Sequence, residues 1–306
     1  MTSIGLHITK CAGTTLMSSM RRLLTEDQYV LISSFYENIV SSRADIWDVV
    51  EFKRIKFVFG HYVHEDLLEL FSPGAIWSLY LFTGVREPCS RAISQYYQLH
   101  KVTGSAPDIP SFIQGYGSSM CDEIIRAFPS LAIQVLDSPK WLCAAAILTA
   151  FDYIYSTEQY AETIGPVFDS IGLAAPAVDS LAARDNVRIT DLDSRVVAHV
   201  TSAMETSDDT LLYSLIKPAI GQKGAGQIIA NDLGIPLKRN ELLASACQRH
   251  ESSPKSFNYE FLYDLMGYEL HLLGQEKKDK VLDILERRSR HSDDLIRFLR
   301  KRVYGS

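Results

Sequence analysis

One stretch near the start of the chain, residues 6–16, constrains the fold more than any other. It reads Leu-His-Ile-Thr-Lys-Cys-Ala-Gly-Thr-Thr-Leu. Apolar residues at Ile4, Leu6 and Ile8 alternate with polar or small ones, which is typical of a half-buried strand. From Leu16 onward the apolar residues recur at helical spacing. The sequence therefore predicts a strand, a short loop and a helix in immediate succession.

The loop in this stretch has the composition of an anion-binding site. Lys10 supplies positive charge, Gly13 lets the backbone approach a ligand closely, and Thr14 and Thr15 supply hydroxyl donors. The first amides of a helix lack intrahelical acceptors, and the helix dipole favours negative charge there. We interpret the loop as a phosphate- or sulfate-binding site. A nucleoside triphosphatase is disfavoured, because the pattern G-x-x-x-x-G-K-[ST] puts its lysine after the second glycine.

A second stretch has a related organisation. Residues 79–85 form a short apolar run, as expected of a strand covered on both faces. Pro88 suits the first turn of a helix, and helical spacing of apolar residues follows it. Arg86 would end the strand, and Ser94 would lie about two turns into the helix. A guanidinium and a hydroxyl so placed could bind one phosphate group.

Together the two stretches resemble the sulfotransferases that use 3′-phosphoadenosine 5′-phosphosulfate (PAPS), and most closely the carbohydrate branch of that family. The order H-x-x-K-x-x-G-T-[ST]-L is similar to the family's 5′-phosphosulfate loop. The order R-[DE]-P-x-x-R-x-x-S-x-Y-Y is similar to its 3′-phosphate element, and the T-E-x-Y passage at residues 157–160 continues the likeness. The resemblance implies PAPS as cofactor, with a supporting role for Arg91. The implied cofactor-binding residues are Lys10, Cys11, Ala12, Gly13, Thr14, Thr15, Arg86 and Ser94.

The resemblance also implies a general base for an acceptor hydroxyl. The carbohydrate branch has a catalytic histidine in a Gly-His position after its second main strand, and here His61 follows Gly60 at the end of a predicted strand. Histidine suits this role because its unperturbed pKa lies near neutrality. His64 and Glu65 are the alternatives. Lys10 is expected to stabilise the oxygens of the leaving phosphate during in-line transfer.

Strand and helix patterns alternate along the first third of the chain, which predicts an α/β fold: a P-loop-like parallel sheet flanked by helices. Ligands in such sheets bind beyond the carboxyl ends of the strands. Loops 10–15, 61–65 and 86–88 are therefore expected at one edge. His7 is interpreted as a packing or hydrogen-bonding residue, and residues 45–52 are predicted to form a short helix.

Further along, residues 102–116 contain several glycines and prolines, which favours a loop or lid. A glycine-containing break at residues 221–226 favours a domain boundary. Residues 1–220 are expected to form the PAPS-binding domain, and residues 221–306 a helical C-terminal extension. Its basic end is either a solvated helix face or an element for acceptor binding or oligomerisation.

Composition excludes several classes of protein. The net charge of −6 argues against general nucleic-acid binding. No apolar run is long enough to predict a membrane span, and no signal-peptide pattern is visible. The five scattered cysteines indicate reduced thiols, with neither a disulfide framework nor a metal site. These features favour a cytoplasmic enzyme of bacterial type.

The function that the resemblance implies is sulfuryl transfer from PAPS to a hydroxyl group, with a carbohydrate, glycoconjugate or small molecule as acceptor. One alternative is a P-loop-type small-molecule kinase, which would need Mg²⁺ ligands and the usual Gly-Lys order. The other is a non-catalytic module that keeps the nucleotide cleft and binds a partner through its C-terminal helices.

Overall fold

The computed structural model describes residues 1–25, 27–32, 54–61, 63, 65–105, 108–132, 137–176 and 193–252. The predicted helix at residues 45–52, the candidate base His64 and residues 253–306 of the predicted extension lie outside the described residues.

The centre of the described structure is a five-stranded parallel sheet. Its strands are β1 (Ser3–Leu6), β2 (Tyr29–Ile32), β3 (Phe57–Gly60), β4 (Tyr80–Val85) and β5 (Tyr153–Ser156). They lie in the order β2-β3-β1-β4-β5, and every neighbouring pair is parallel. The predicted α/β class, a parallel sheet flanked by helices, is confirmed.

Helices connect and cover these strands. In chain order they are α1 (Gly13–Leu23), α2 (Pro73–Ile76), α3 (Pro88–Thr103), α4 (Ile109–Tyr116), α5 (Ser119–Ala127), α6 (Pro129–Ala132), α7 (Lys140–Leu148), α8 (Tyr160–Thr163), α9 (Gly165–Asp169), α10 (Ser194–Met204), α11 (Asp208–Ile216), α12 (Ala225–Leu233) and α13 (Arg239–Ser252). Short 3₁₀ segments occupy Glu65–Leu70 and Lys217–Ala219. No helix among the described residues is long and apolar enough to cross a membrane.

The strand register brings the predicted loops to one edge. Leu6, the last residue of β1, is paired with Gly60 of β3 on one side and Thr83 of β4 on the other. All three strands run in the same direction, so the residues that follow them emerge at the same edge of the sheet. The loop after Leu6, the segment beginning at His61 and the segment beginning at Arg86 are therefore neighbours in space.

Each face of the sheet has its own apolar core. Ile4 and Leu6 point to one face, where they join a cluster that includes residues of α5, α7 and α11 to α13. The other face carries the rings of Phe59 and Phe82, stacked 5.8 Å apart between centroids. Gly5 makes that stack possible, because a Cβ there would lie 2.2 Å from a ring atom of Phe82.

The segment after residue 220 packs into the first of these cores. Leu242 and Ala246 are fully buried in the cluster that contains Ile4. Arg239 donates hydrogen bonds to Asp152 Oδ2 and to the carbonyl of Leu79, both at 2.6 Å. Residues 225–252 form the two helices α12 and α13 joined by a short connection, but these helices share a core with the sheet, and the predicted boundary at residue 220 stays a prediction.

The prediction of a loop or lid at residues 102–116 is wrong over most of its length. α3 continues to Thr103, and α4 occupies Ile109–Tyr116. Pro110 lies in the first turn of α4, where its missing amide hydrogen costs nothing. Asp108 caps the helix by accepting from the Ser111 amide at 3.1 Å. The proline that suggested a loop is a helix-start residue.

Candidate active site

The loop after β1 makes a tight turn through left-handed backbone. Lys10 has a φ of 68° and Ala12 a φ of 57°, a conformation that few residues other than glycine adopt. The Cys11 amide donates to the carbonyl of Ile8 at 3.2 Å, which closes the turn. Helix α1 then begins at Gly13.

Gly13 is required by the packing of this loop. A Cβ at residue 13 would lie 1.9 Å from Nε2 of His7, well inside van der Waals contact. The absence of a side chain therefore allows the start of α1 to rest directly on the His7 ring.

The N-terminus of α1 is open. No described side chain caps it, and its first turn contains neither Asp nor Glu. The amides of Gly13 and Thr14 have no acceptor inside the helix, because they belong to its first turn. Thr14 is exposed and Thr15 is half-buried. Such a helix start presents amide donors and a partial positive charge to an anion.

Cys11 occupies the inner side of the loop. Its side chain is fully buried, and burial raises the pKa of its thiol to about 12. The hydroxyl of Tyr155 on β5 donates to the Cys11 carbonyl at 3.1 Å. The thiol, the amide and the carbonyl of Cys11 all contact other parts of the protein. Cys11 therefore stabilises the conformation of the loop from its buried side.

A carboxylate on α5 holds the beginning of the loop. Glu123 Oε2 accepts from the backbone amide of Thr9 at 2.8 Å. Burial raises the pKa of Glu123, and the nearby Arg91 and the Thr9 amide oppose that effect. The loop is thus fixed by α5 on one side and by β5 on the other.

Arg86 follows β4 and is positioned by the segment after β5. Its Nε lies 3.8 Å from Glu158 Oε1, and the same oxygen accepts from the Glu87 amide at 3.0 Å. In the described part of the chain neither Nη group of Arg86 has a hydrogen-bond partner. The outer fork of the guanidinium is therefore available to a ligand.

Lys10 lies close enough to Arg86 for the charge of the arginine to affect the pKa of the lysine. Burial, and secondly the charge of Arg86, lowers the pKa of Lys10. Within the described residues no carboxylate forms an ion pair with Lys10. Lys10 thus adds a positive charge near Arg86, whose Nε contacts Glu158, and such a concentration of positive charge is typical of an anion-binding site.

Arg91 and Ser94 follow Arg86 on helix α3. Ser94 is half-buried in the second turn of α3. Arg91 has no exposed surface, pairs with Asp209 of α11, and donates to the Tyr116 hydroxyl at 2.9 Å and to Ser119 Oγ at 2.8 Å. Arg91 therefore holds α3 against α4, α5 and α11 and is not available to a ligand.

His61 stands at the end of β3, half-buried. Its Nδ1 lies 2.8 Å from the carbonyl oxygen of His7. A carbonyl can only accept, so Nδ1 carries the hydrogen and Nε2 keeps its lone pair. Burial lowers the pKa of His61, the hydrogen bond to His7 raises it, and the charge of Arg126 lowers it further, with a net decrease. A neutral imidazole with Nε2 free is the form that a general base requires.

The sequence of this chain matches a family of known proteins. The model of the sulfotransferase family matches residues 4–174, more than half of the chain. This chain belongs to the sulfotransferase family. No curated protein matches the chain. No solved structure matches it either.

The family match ends at residue 174, before some of the residues that fix the helices around the candidate site. Asp209 lies beyond it, and its carboxylate pairs with Arg91 and accepts from the amides of Met120 and Cys121 at 3.1 and 3.0 Å. The buried guanidinium of Arg91 and the buried carboxylate of Asp209 neutralise each other at the N-terminal end of α3. The segment after residue 193 thus supports the helix that follows Arg86 in the candidate site.

The two other candidates for the general base are His64 and Glu65, and the structure describes only the second. His64 lies outside the described residues. Glu65 is buried, and its carboxylate accepts from Ser130 Oγ at 2.7 Å and from the Ser130 amide at 3.1 Å. These bonds direct the Glu65 carboxylate toward the start of α6, which leaves His61 as the described candidate with a free lone pair.

Several residues that contact the candidate site have no signal in the sequence that would assign them to it. Glu158 belongs to the T-E-x-Y passage, but its partner Arg86 is far away in the sequence. Glu123 had no motif to mark it. The interpretation of His7 as a packing or hydrogen-bonding residue agrees with its burial, but the sequence does not indicate that the ring it stacks on is that of His61. No group of three or more metal-ligating side chains occurs among the described residues.

Proposed function

We propose that this sulfotransferase takes the sulfuryl group from PAPS and transfers it to a hydroxyl of a carbohydrate or glycoconjugate, with His61 as the general base. The observation that carries the proposal is the pairing of an open helix start beside Lys10 with the free guanidinium fork of Arg86. PAPS has two separate anionic groups, and the two halves of this site would each take one. Members of the family normally use PAPS.

The 5′-phosphosulfate would lie at the start of α1. The amides of Gly13 and Thr14 would donate to its oxygens, with Thr14 and Thr15 adding hydroxyl donors. Cys11 and Ala12 would contribute through the shape of the loop. Lys10 would place its ammonium near the oxygen that bridges phosphorus and sulfur, where negative charge develops as that bond breaks.

The 3′-phosphate would lie against Arg86. The two Nη groups offer parallel donors that match two phosphate oxygens. Ser94, in the second turn of α3, is assigned to this phosphate by its likeness to the family motif. Glu158 would keep the guanidinium oriented by contacting its Nε and leaving the outer fork free.

The transfer then needs one proton acceptor. The acceptor oxygen forms a bond to sulfur, the bond between sulfur and the bridging phosphate oxygen breaks, and the acceptor proton moves to Nε2 of His61. Lys10 and the loop amides stabilise the departing phosphate. The carbohydrate class of the acceptor is supported by the likeness of the two motifs to that branch.

Calorimetric titration with 3′-phosphoadenosine 5′-phosphate (PAP), the product of PAPS, tests the donor. We expect wild type to bind PAP and Arg86→Ala to bind it about 10- to 100-fold more weakly, since a hydrogen bond to a charged group contributes about 1.5–3 kcal/mol. Arg195→Ala, an exposed arginine on α10, is the control and should bind as wild type does. Failure of wild type to bind PAP, with binding of ATP and Mg²⁺ instead, would favour the kinase alternative.

Replacement of His61 tests the base. His61→Ala should retain PAP affinity and lose about 10²- to 10⁴-fold in turnover, the usual contribution of a general base. Turnover close to wild type in this variant would assign the proton to another group.

A further inference from the structure

His7 lies between the cofactor loop and the candidate base. Its ring stacks on the His61 ring with centroids 3.8 Å apart and planes inclined by 23°. On the loop side its Nε2 occupies the space that a Cβ at Gly13 would need. Phe59 stacks with the same ring at 5.1 Å. The imidazole of His7 therefore contacts both the cofactor loop, at Gly13, and the candidate base His61.

His61 by itself would not have one orientation. It follows directly after β3, and a half-buried histidine there has several staggered rotamers available to it. Two contacts select one of them, and both come from His7. The carbonyl of His7 accepts from His61 Nδ1 at 2.8 Å, and the ring of His7 covers one face of the His61 ring.

We propose that His7 is a positioning residue for the base: its carbonyl fixes the tautomer of His61, and its ring holds the His61 imidazole with Nε2 directed to the acceptor. The catalytic part of this inference rests on the proposed function, whereas the positioning of His61 does not.

The imidazole of His7 is costly to bury, which argues against simple packing. Its exposed fraction is 5%, and Nδ1 has no hydrogen-bond partner among the described residues. A buried polar atom without a partner costs about 1–3 kcal/mol, and an aliphatic side chain would avoid that cost. The flat ring supplies what an aliphatic side chain lacks, a face parallel to His61.

The charges around the pair keep His7 neutral. Burial, then the charges of His61 and Lys10, holds the pKa of His7 well below its ordinary value. Arg126 of α5 acts on His61 in the same direction, and the carboxylates of Glu65 and Glu123 are engaged by Ser130 and the Thr9 amide. Two stacked imidazoles at this distance are not both protonated to the cationic imidazolium form, so with His7 neutral His61 is the ring that can accept a second proton during turnover.

Nuclear magnetic resonance of ¹⁵N-histidine-labelled protein tests the positioning without any ligand. The His61 signals are assigned by their absence from His61→Ala. In wild type we expect the Nδ1–H tautomer and a titration midpoint below 6.5. In His7→Ala the backbone carbonyl remains, so the Nδ1–H tautomer should persist, whereas the midpoint should move up toward the ordinary value because the uncovered face of the His61 ring gains contact with water. His199→Ala, an exposed histidine on α10, should leave the His61 signals unchanged.

Kinetics supply a second readout. His7→Ala should lower kcat by about 10- to 100-fold, because a small misplacement of a reacting group costs that much. The KM for PAPS should change by less than about 3-fold. The acid limb of the kcat profile should shift to higher pH, since a base with a raised pKa is protonated over a wider acid range.

An unchanged His61 titration midpoint in His7→Ala, or an Nε2–H tautomer of His61 in wild type, would overturn the proposal, even if the variant lost stability. If His7→Ala does not fold, His7→Asn is used, which keeps a planar polar group but not the outer half of the ring, and the same criteria apply. Absence of PAP binding by wild type would instead contradict the proposed donor, and the His61 spectra would still decide the role of His7.

Discussion

Two helices begin at the candidate site, and they begin in opposite ways. The start of α1 has no described side-chain cap, and its N-cap residue, Ala12, carries no polar group. The start of α3 is closed by Glu87, whose carboxylate accepts from the Cys89 and Ser90 amides at 2.9 and 2.7 Å. One helix start offers its amides to a ligand, whereas the other has already used them.

The difference determines which atoms can bind an anion at each position. At α1 the backbone is available and Cys11 turns its side chain inward, so recognition there depends on backbone shape. At α3 the carboxylate of Glu87 offsets the helix dipole, so an anion must be bound by a side chain such as Arg86. The two candidate phosphate-binding elements thus offer different groups to an anion, backbone amides in one and a side chain in the other. Four substitutions test this contrast, from the largest expected effect to the smallest.

The largest effect is expected where α3 is fixed in place. Asp209→Ala leaves the Arg91 guanidinium buried without its counter-charge, which should lower the free energy of unfolding by about 3–5 kcal/mol. Urea denaturation followed by circular dichroism measures it. Asp208→Ala, the neighbouring and half-buried residue in the same first turn, should change stability by less than about 1 kcal/mol. Equal effects of the two variants would show that the ion pair does not hold α3.

Lys10→Ala removes the cation beside the open helix start. Turnover should fall by about 10²- to 10³-fold, the usual loss when one stabilising donor is removed from a transition state. The variant should unfold at the same temperature as wild type, since Lys10 has no ion-pair partner within the described residues. Lys217→Ala, an exposed lysine far along the chain, is the control. The non-catalytic module would be indicated by two results together: wild type shows no sulfuryl transfer, and Lys10→Ala still binds the partner.

Gly13→Ala tests the dependence of α1 on backbone shape. The new Cβ would meet the His7 ring, so we expect a loss of about 1–3 kcal/mol in stability together with weaker PAP binding. Thermal unfolding and calorimetry measure the two effects. Gly115→Ala in α4 has open space around its Cβ and should be neutral or stabilising by up to about 1 kcal/mol. Unimpaired PAP binding by Gly13→Ala would mean that the loop tolerates rearrangement.

Glu87→Ala would open the second helix start. Loss of the cap should cost about 1 kcal/mol, and removal of a carboxylate beside Arg86 should tighten PAP binding by about 2- to 5-fold. Burial alone would raise the pKa of Glu87, but the Ser90 and Cys89 amides lower it overall. The cap therefore stabilises the protein above pH 4.5, and the stability difference from Glu87→Ala should vanish as the pH falls below that value. Weaker PAP binding by Glu87→Ala would show that the closed start contributes to the ligand site.

The parts of the site that could be predicted are those written in contiguous sequence. The strand before Lys10, the helix after Gly13 and the strand before Arg86 follow from hydrophobic period and from glycine and proline placement. β1 and β4 match the prediction to within two residues at each end. Sheet topology then brings the loops together, because parallel strands place their carboxyl ends at one edge.

The parts that could not be predicted depend on contacts between distant residues. Asp209 is 118 residues from Arg91, and Glu158 is 71 residues from the Glu87 amide that it accepts from. Neither pairing has a local pattern. The His7 stack was missed because an alternating strand pattern says which face a residue lies on, but not which side chain will cover it. Residues 102–116 were misassigned because proline marks helix starts as well as loops.

The Arg91–Asp209 pair has a consequence for how this catalytic unit could be exchanged between proteins. The part that matches the family carries the arginine, and the part beyond the match carries its counter-ion. In a chimera that joined residues 4–174 to a different C-terminal half, the buried guanidinium of Arg91 would have no counter-ion unless the new half supplied a carboxylate at the same place. A working recombinant would have to keep both halves or replace both charges.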